Sequence, residues 1–249
     1  MLASRVKLAL VFAVAASAAC GADLPAADGL IRRFIDASGG MAAYEAVRTL
    51  AMEGTVEIVG RNISGSVTMA QEGRKTYTGM ELSGVGKIEE GFDGETAWQS
   101  SEPMGTRLLD GEEKALARRG ANLAIFASWR DEYTSAATTG SEEIDGRPAW
   151  KVTMTPKEGR PENYYFDRET GLLSGIGVTV ATPLGDIATR VLMADYRAAG
   201  GLKTPFRVTQ EAFGQSIRMT FSKVTVNAPI PAGRFDLPAA VKALAAKQQ

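Results

Sequence analysis

Residues 55–69 read TVEIVGRNISGSVTM. Val56 and Ile58 alternate with Thr55 and Glu57, and Ile63, Val67 and Met69 alternate with Ser64, Ser66 and Thr68. A period of two sends apolar and polar side chains to opposite faces of a strand. Gly60-Arg61-Asn62 stands between the runs and supplies turn chemistry, so the stretch predicts an antiparallel hairpin. The same alternation returns at Trp150, Val152 and Met154, at Ile176, Val178 and Val180, and at Ile217, Met219 and Phe221. Asp93-Gly94, Asp145-Gly146, Gly159, Gly200-Gly201 and Gly214 punctuate the chain between such runs. Roughly ten to twelve strands joined by tight turns follow from this spacing. Strand-helix-strand alternation is absent, which argues against a doubly wound parallel sheet.

Two helical regions flank and interrupt the strands. Leu30, Ile31, Phe34 and Ile35 repeat at three-to-four spacing, and Gly39-Gly40 predicts the stop, with a short second helix over 41–47. Residues 110–128, DGEEKALARRGANLAIFAS, predict a mid-chain helix with acids at its start, broken at Gly120. No Pro-, Gly- or Ser-rich linker divides residues 23–238, so they are read as one domain. The reading is a mainly β, α+β fold: a single curved antiparallel sheet covered by an N-terminal helix and a mid-chain helical lid. The Ala-rich tail, residues 239–249, carries no large apolar face and is expected to be a frayed helix or disordered.

Composition removes whole classes of chemistry. The 249 residues contain no histidine and one cysteine, and 28 basic residues nearly balance 29 acidic ones. Histidine-dependent triads, imidazole metal sites, intrachain disulfides and multi-cysteine metal sites are thereby excluded. Near-neutral charge leaves no basic stripe for nucleic acid. Neither dinucleotide nor Walker-type glycine motifs occur, and Gly84-Val85-Gly86 reads as a turn. Glu89, Glu90, Asp93 and Glu95, and separately Glu142, Glu143 and Asp145, are read as solvated turn clusters rather than catalytic pairs. No catalytic residue, metal or cofactor is expected.

The first residues, MLASRVKLALVFAVAASAACGA, place Arg5 and Lys7 before a short apolar run and a group of small residues. Residues 1–22 are therefore read as a secretory signal, the run being shorter than the ~20 residues of a membrane span. Ser17, Ala18 and Ala19 precede Cys20 as in a bacterial lipoprotein signal, which makes Cys20 the candidate for lipidation. Ordinary cleavage after Ala18 fits the same residues. The expected location is the periplasm, with anchoring to the outer membrane through Cys20 if it is acylated.

Nine methionines is a rich supply, and Met52, Met69, Met80, Met104, Met154, Met193 and Met219 fall in or beside expected strands. Flexible thioether side chains suit either irregular core space or a cavity that accepts varied shapes.

Four strings extend the pattern: GFDGETAWQ at 91–99, YYFDRETGLLSG at 164–175, DYRAAGGLKTPFRV at 195–208 and VTVNAPIPAGRFDLP at 224–238. Together with the order of elements, the chain from about residue 24 to 238 resembles the periplasmic lipoprotein-carrier superfamily, the LolA/LolB-like outer-membrane lipoprotein-sorting proteins. That resemblance implies an incomplete β-barrel of about eleven strands, closed by helices, holding acyl chains in an apolar interior. The family's functional arginine has no matching motif here. The implied role is non-catalytic binding and transport of a lipid or lipoprotein acyl chain. An outer- or inner-membrane protein is a candidate partner. The candidate cavity residues are Phe92, Trp98, Met104, Leu108, Leu116, Leu123, Phe126, Trp129, Met154 and Tyr165. The alternative is a packed barrel that serves as an envelope protein–protein interaction module.

Overall fold

The computed structural model describes residues 24–182 and 185–247. The expected signal segment and Cys20 lie outside the described residues. Leu30, Ile31, Phe34 and Ile35 are buried on one side of α1 (Ala27–Ser38). The helix stops at Gly39, where φ is 142° and an added Cβ would lie 2.6 Å from the Gly201 carbonyl oxygen. Any larger residue would push the loop between helix and sheet apart. A short α2 (Met41–Ala46) follows, and its Tyr44 hydroxyl meets Ser38 Oγ at 2.7 Å.

Six strands come next: β1 (Thr49–Ile58), β2 (Ile63–Glu72), β3 (Lys75–Leu82), β4 (Gly86–Phe92), β5 (Ala97–Ser101) and β6 (Gly105–Leu109). Helices α3 (Gly111–Gly120) and α4 (Trp129–Glu132) then interrupt the sheet. Seven more strands complete it: β7 (Tyr133–Ile144), β8 (Arg147–Pro156), β9 (Glu162–Asp167), β10 (Leu173–Thr182), β11 (Gly185–Ala199), β12 (Leu202–Ala212) and β13 (Gln215–Val226). All thirteen described strands form one antiparallel sheet in the order β6-β5-β4-β3-β2-β1-β13-β12-β11-β10-β9-β8-β7. Every neighbour is a sequence neighbour except β1 and β13, whose pairing joins the two halves. The sheet is not closed. Its free edges are β6 and β7, and the segment carrying α3 and α4 runs from one edge to the other. This is the expected curved sheet with an N-terminal helix and a mid-chain helical cover, with thirteen strands in place of about eleven.

Register separates the two faces. Met52 opposes Met69, Val67 opposes Met80, Val56 opposes Met219, and both Met219 and Met193 oppose Val208. These side chains share the inner face, which is also the face that α1 and α3 cover. One core fills this face beneath α1: Phe34, Phe126, Tyr164 and Phe166 interlock there, with Phe34 and Phe126 edge to face at 4.9 Å. A second core on the same face gathers Met52, Val56, Val67, Leu82, Phe206, Met219 and Phe221.

The tail corrects the expectation of fraying. A short α5 (Ala239–Ala245) closes the described chain, and Val241 is fully buried with Tyr77 and Trp98 on the outer face. Phe235 and Leu237 support the same contact. One valine, helped by two upstream apolar residues, anchors a helix whose remaining positions are mostly alanine.

Candidate functional site

The strap between the edge strands organises the inner face. Helix α3 packs against β10 on one side and against β4 and β5 on the other, so it lies across the concavity. Ala117 and Ala121 meet Phe92 and Ala97, while Leu116 faces Val178 and Val180 across a gap of only about 10 Å³. Small residues let the strap sit close to one wall.

Polar clasps hold it at both ends. At the start of α3, Glu112 accepts the Ala181 backbone N–H at 3.1 Å and pairs with Arg160 at 3.1 Å. Glu113 takes a bidentate pair from Arg107 at 2.7 and 2.8 Å, and Arg107 also donates to Gln99. At the far end, Gln71 donates to the Gly120 carbonyl at 2.9 Å. Arg119 is buried and bonds Glu162 through Nε at 2.9 Å and through Nη2, while Nη1 donates to the Glu158 carbonyl at 2.7 Å. Tyr133 and Tyr164 donate to the other Glu162 oxygen at 2.7 and 2.6 Å. Burial beside that carboxylate pushes both phenols well above their ordinary range. The Glu162 carboxylate is satisfied on both oxygens, so this buried charge is an anchor rather than a reactive group.

The inner face beyond α3 is greasy and only partly covered. Met69, Met80, Ile88, Val208, Ile217 and Val224 are half-buried there. One ionisable group interrupts it. Glu90 opposes Thr78 on β3 and Gln99 on β5, and it lies between Ile88 and Phe92 along β4. Its side chain reaches solvent from within the curve, where protein displaces much of the surrounding water and pushes the carboxyl up.

The candidate residues scatter. Phe92 faces the strap on the inner side, and Leu116 projects from the strap towards Val178 and Val180. Leu123, Phe126 and Met154 are on the inner side too, but within the packed core beneath α1. Trp129 lines a separate open hollow of about 400 Å³ beside the edge strand β7, together with Leu24, Pro25, Ala136 and Thr138. Four placements need correction. Trp98 and Leu108 lie on the outer face under α5, because Ala97 and Leu109, their chain neighbours, take the inner positions. Tyr165 also points outward, towards Ile144 and Leu192, since Tyr164 and Phe166 occupy the core. Met104 is 77% exposed at the β5–β6 turn. The choice of residues rested on apolar character, and strand parity decides the side.

Glu90 was missed because it was grouped with a turn cluster. The structure divides that cluster. Glu89 points outward to Tyr77 at 2.7 Å and Lys87 at 2.8 Å, and Asp93 caps the turn by accepting the N–H groups of Glu95 and Thr96. The signal was available in Ile88-Glu89-Glu90-Gly91-Phe92, where Glu90 shares parity with two large apolar residues.

Among the described residues no cluster of three or more acidic, cysteine or histidine side chains could hold a metal ion, and no helix is long and apolar enough to cross a membrane. No family model and no curated protein matches the chain. Solved structures do. A DUF1329 family protein from Desulfovibrio piger superposes with a TM-score of 0.53 at 14% identity, over 84% of this chain and 97% of that one. A LolA superfamily protein from Nitrosomonas europaea gives a TM-score of 0.53 at 10% identity, over 86% of this chain and 98% of the other. The fold is therefore shared with a LolA superfamily protein along nearly the whole length of that protein.

Proposed function

We propose that the chain binds and carries a lipid or lipoprotein acyl chain in the bacterial cell envelope, without catalysis. The observation that carries this reading is the methionine-rich inner face, left partly uncovered beyond a strap that joins the two free edges. An acyl chain offers no hydrogen-bonding pattern, so its site needs apolar area and adaptable shape, which Met69, Met80 and Met193 supply. Each Å² of apolar surface removed from water contributes about 25 cal/mol. The signal-like residues 1–22 and the sequence resemblance support a periplasmic location. Cys20 is the proposed point of outer-membrane anchoring, and a membrane protein the proposed exchange partner.

Titration of the chain lacking residues 1–22 with an environment-sensitive fluorescent fatty acid tests the reading. Saturable binding is expected, weakened about tenfold or more by Met80→Trp, which fills the inner strip, in protein whose thermal unfolding remains cooperative. Absence of saturable binding would overturn it.

The packing of Phe34, Phe126, Tyr164 and Phe166 favours a second reading, in which the barrel is filled and an envelope protein is the partner. Under that reading native mass spectrometry of protein taken from its own membrane fraction finds a bound polypeptide and no lipid.

A further inference from the structure

Two carboxylates of the inner face stand in contrasting settings. Glu162 is enclosed by Arg119, Tyr133 and Tyr164. The Glu90 carboxylate accepts no hydrogen bond and makes no ion pair among the described residues. The nearest cation along its cross-strand row is Arg107, two strands away, and Gln99 and Glu113 already engage it. Glu90 therefore stands unpaired between Thr78 and Gln99 in its cross-strand row, next to Ile88 along β4, with Met80 diagonally across β3 and Met69 beyond Thr78. An ionised carboxylate on an apolar surface gains most from a cation that brings its own donors. It weakens, without abolishing, the binding of an acyl chain that ends in a carboxylate or phosphate.

We propose that the ligand of this inner face is an amphiphile bearing a primary ammonium group, which Glu90 receives while the hydrocarbon lies along the methionine strip. This inference rests on the acyl-binding reading above and adds the chemistry of the polar end. Two sources share that chemistry: an amino-headed lipid, and the free amino terminus of an acylated polypeptide.

The experiment is displacement of a fluorescent fatty acid near neutral pH by three ligands of equal chain length, dodecylamine, dodecanol and dodecanoate, each below its micelle threshold. Dodecylamine is expected to displace the probe at about tenfold or more lower concentration than the other two, the size expected for a charge-assisted hydrogen bond. Glu90→Gln is expected to bring dodecylamine to the level of dodecanol. A second arm uses an S-palmitoylated cysteinyl peptide with a free amino terminus and its N-acetylated twin. A preference for the free amine in this arm, lost in Glu90→Gln, assigns the acylated polypeptide; preference confined to dodecylamine assigns the lipid. Equal displacement by all three ligands, or an amine preference that survives Glu90→Gln, overturns the inference and leaves acyl binding standing. If the probe itself never binds, both readings fall together.

Discussion

Glu90 and Glu162 show what the presence or absence of partners does to acids on the same face. Glu90 has a raised carboxyl pKa in the folded chain, so the native state holds its proton more tightly than the unfolded one. The sign follows directly. Its contribution to stability is greatest below the unfolded value of about 4.3 and is lost as pH rises through the folded value. Glu90→Gln, measured by thermal unfolding without ligand, is expected to raise the melting temperature near neutral pH and to leave it nearly unchanged near pH 4. Asp167 behaves in the opposite way. Its surroundings exclude water and would raise it, but Arg147 at 2.7 Å and the Thr170 N–H at 2.7 Å hold it below the ordinary range. Its share of stability is present above about pH 4 and disappears on acidification. Arg119→Ala strands the Glu162 charge in the core, and urea unfolding should show a loss of about 3–5 kcal/mol. The sequence displayed none of these pairings, because Arg119 and Glu162 belong to different elements with no local pattern to connect them.

Elements were easier to read than their contacts. Leu30, Ile31, Phe34 and Ile35 announced α1, and Gly39-Gly40 its end, because helix periodicity and glycine punctuation are local. The helix expected over 110–128 breaks at Gly120 as its sequence predicts, but the second piece does not form a helix. Beyond Gly120, Asn122 accepts the Ala124 N–H at 3.1 Å in its own turn, and Phe126 is drawn into the core between Phe34 and Tyr164. Tertiary packing overrides helix propensity there. The tail was misread for a related reason: a single buried side chain carries no period. Val241→Ala should cost about 2 kcal/mol in urea unfolding, a magnitude typical of a deletion in a packed core. No measurable cost would mean that α5 does not depend on its contact with Tyr77 and Trp98.

Over the whole molecule, hairpins were legible and the pairing that joins the two halves of the sheet was not. Each turn sequence names two strands that must pair, whereas Thr49–Ile58 and Gln215–Val226 meet across most of the chain. Gly54 marks the junction: it faces Phe221 at a register shift, and an added Cβ would lie 2.1 Å from the Thr220 carbonyl oxygen. Amide hydrogen exchange is expected to be slowest in β1 and β13, which are paired on both sides, and fastest in the edge strands β6 and β7. The reverse ranking would show that the halves are stable units joined loosely.

The late arrival of β13 has a bearing on biogenesis. A polypeptide delivered amino end first presents β1 long before its second neighbour exists, so its midline lies bare until nearly all of the chain has emerged. Such a nascent molecule has no finished shell until β13 is made. Until the last strand slots home, it shows an adhesive backbone ribbon along β1.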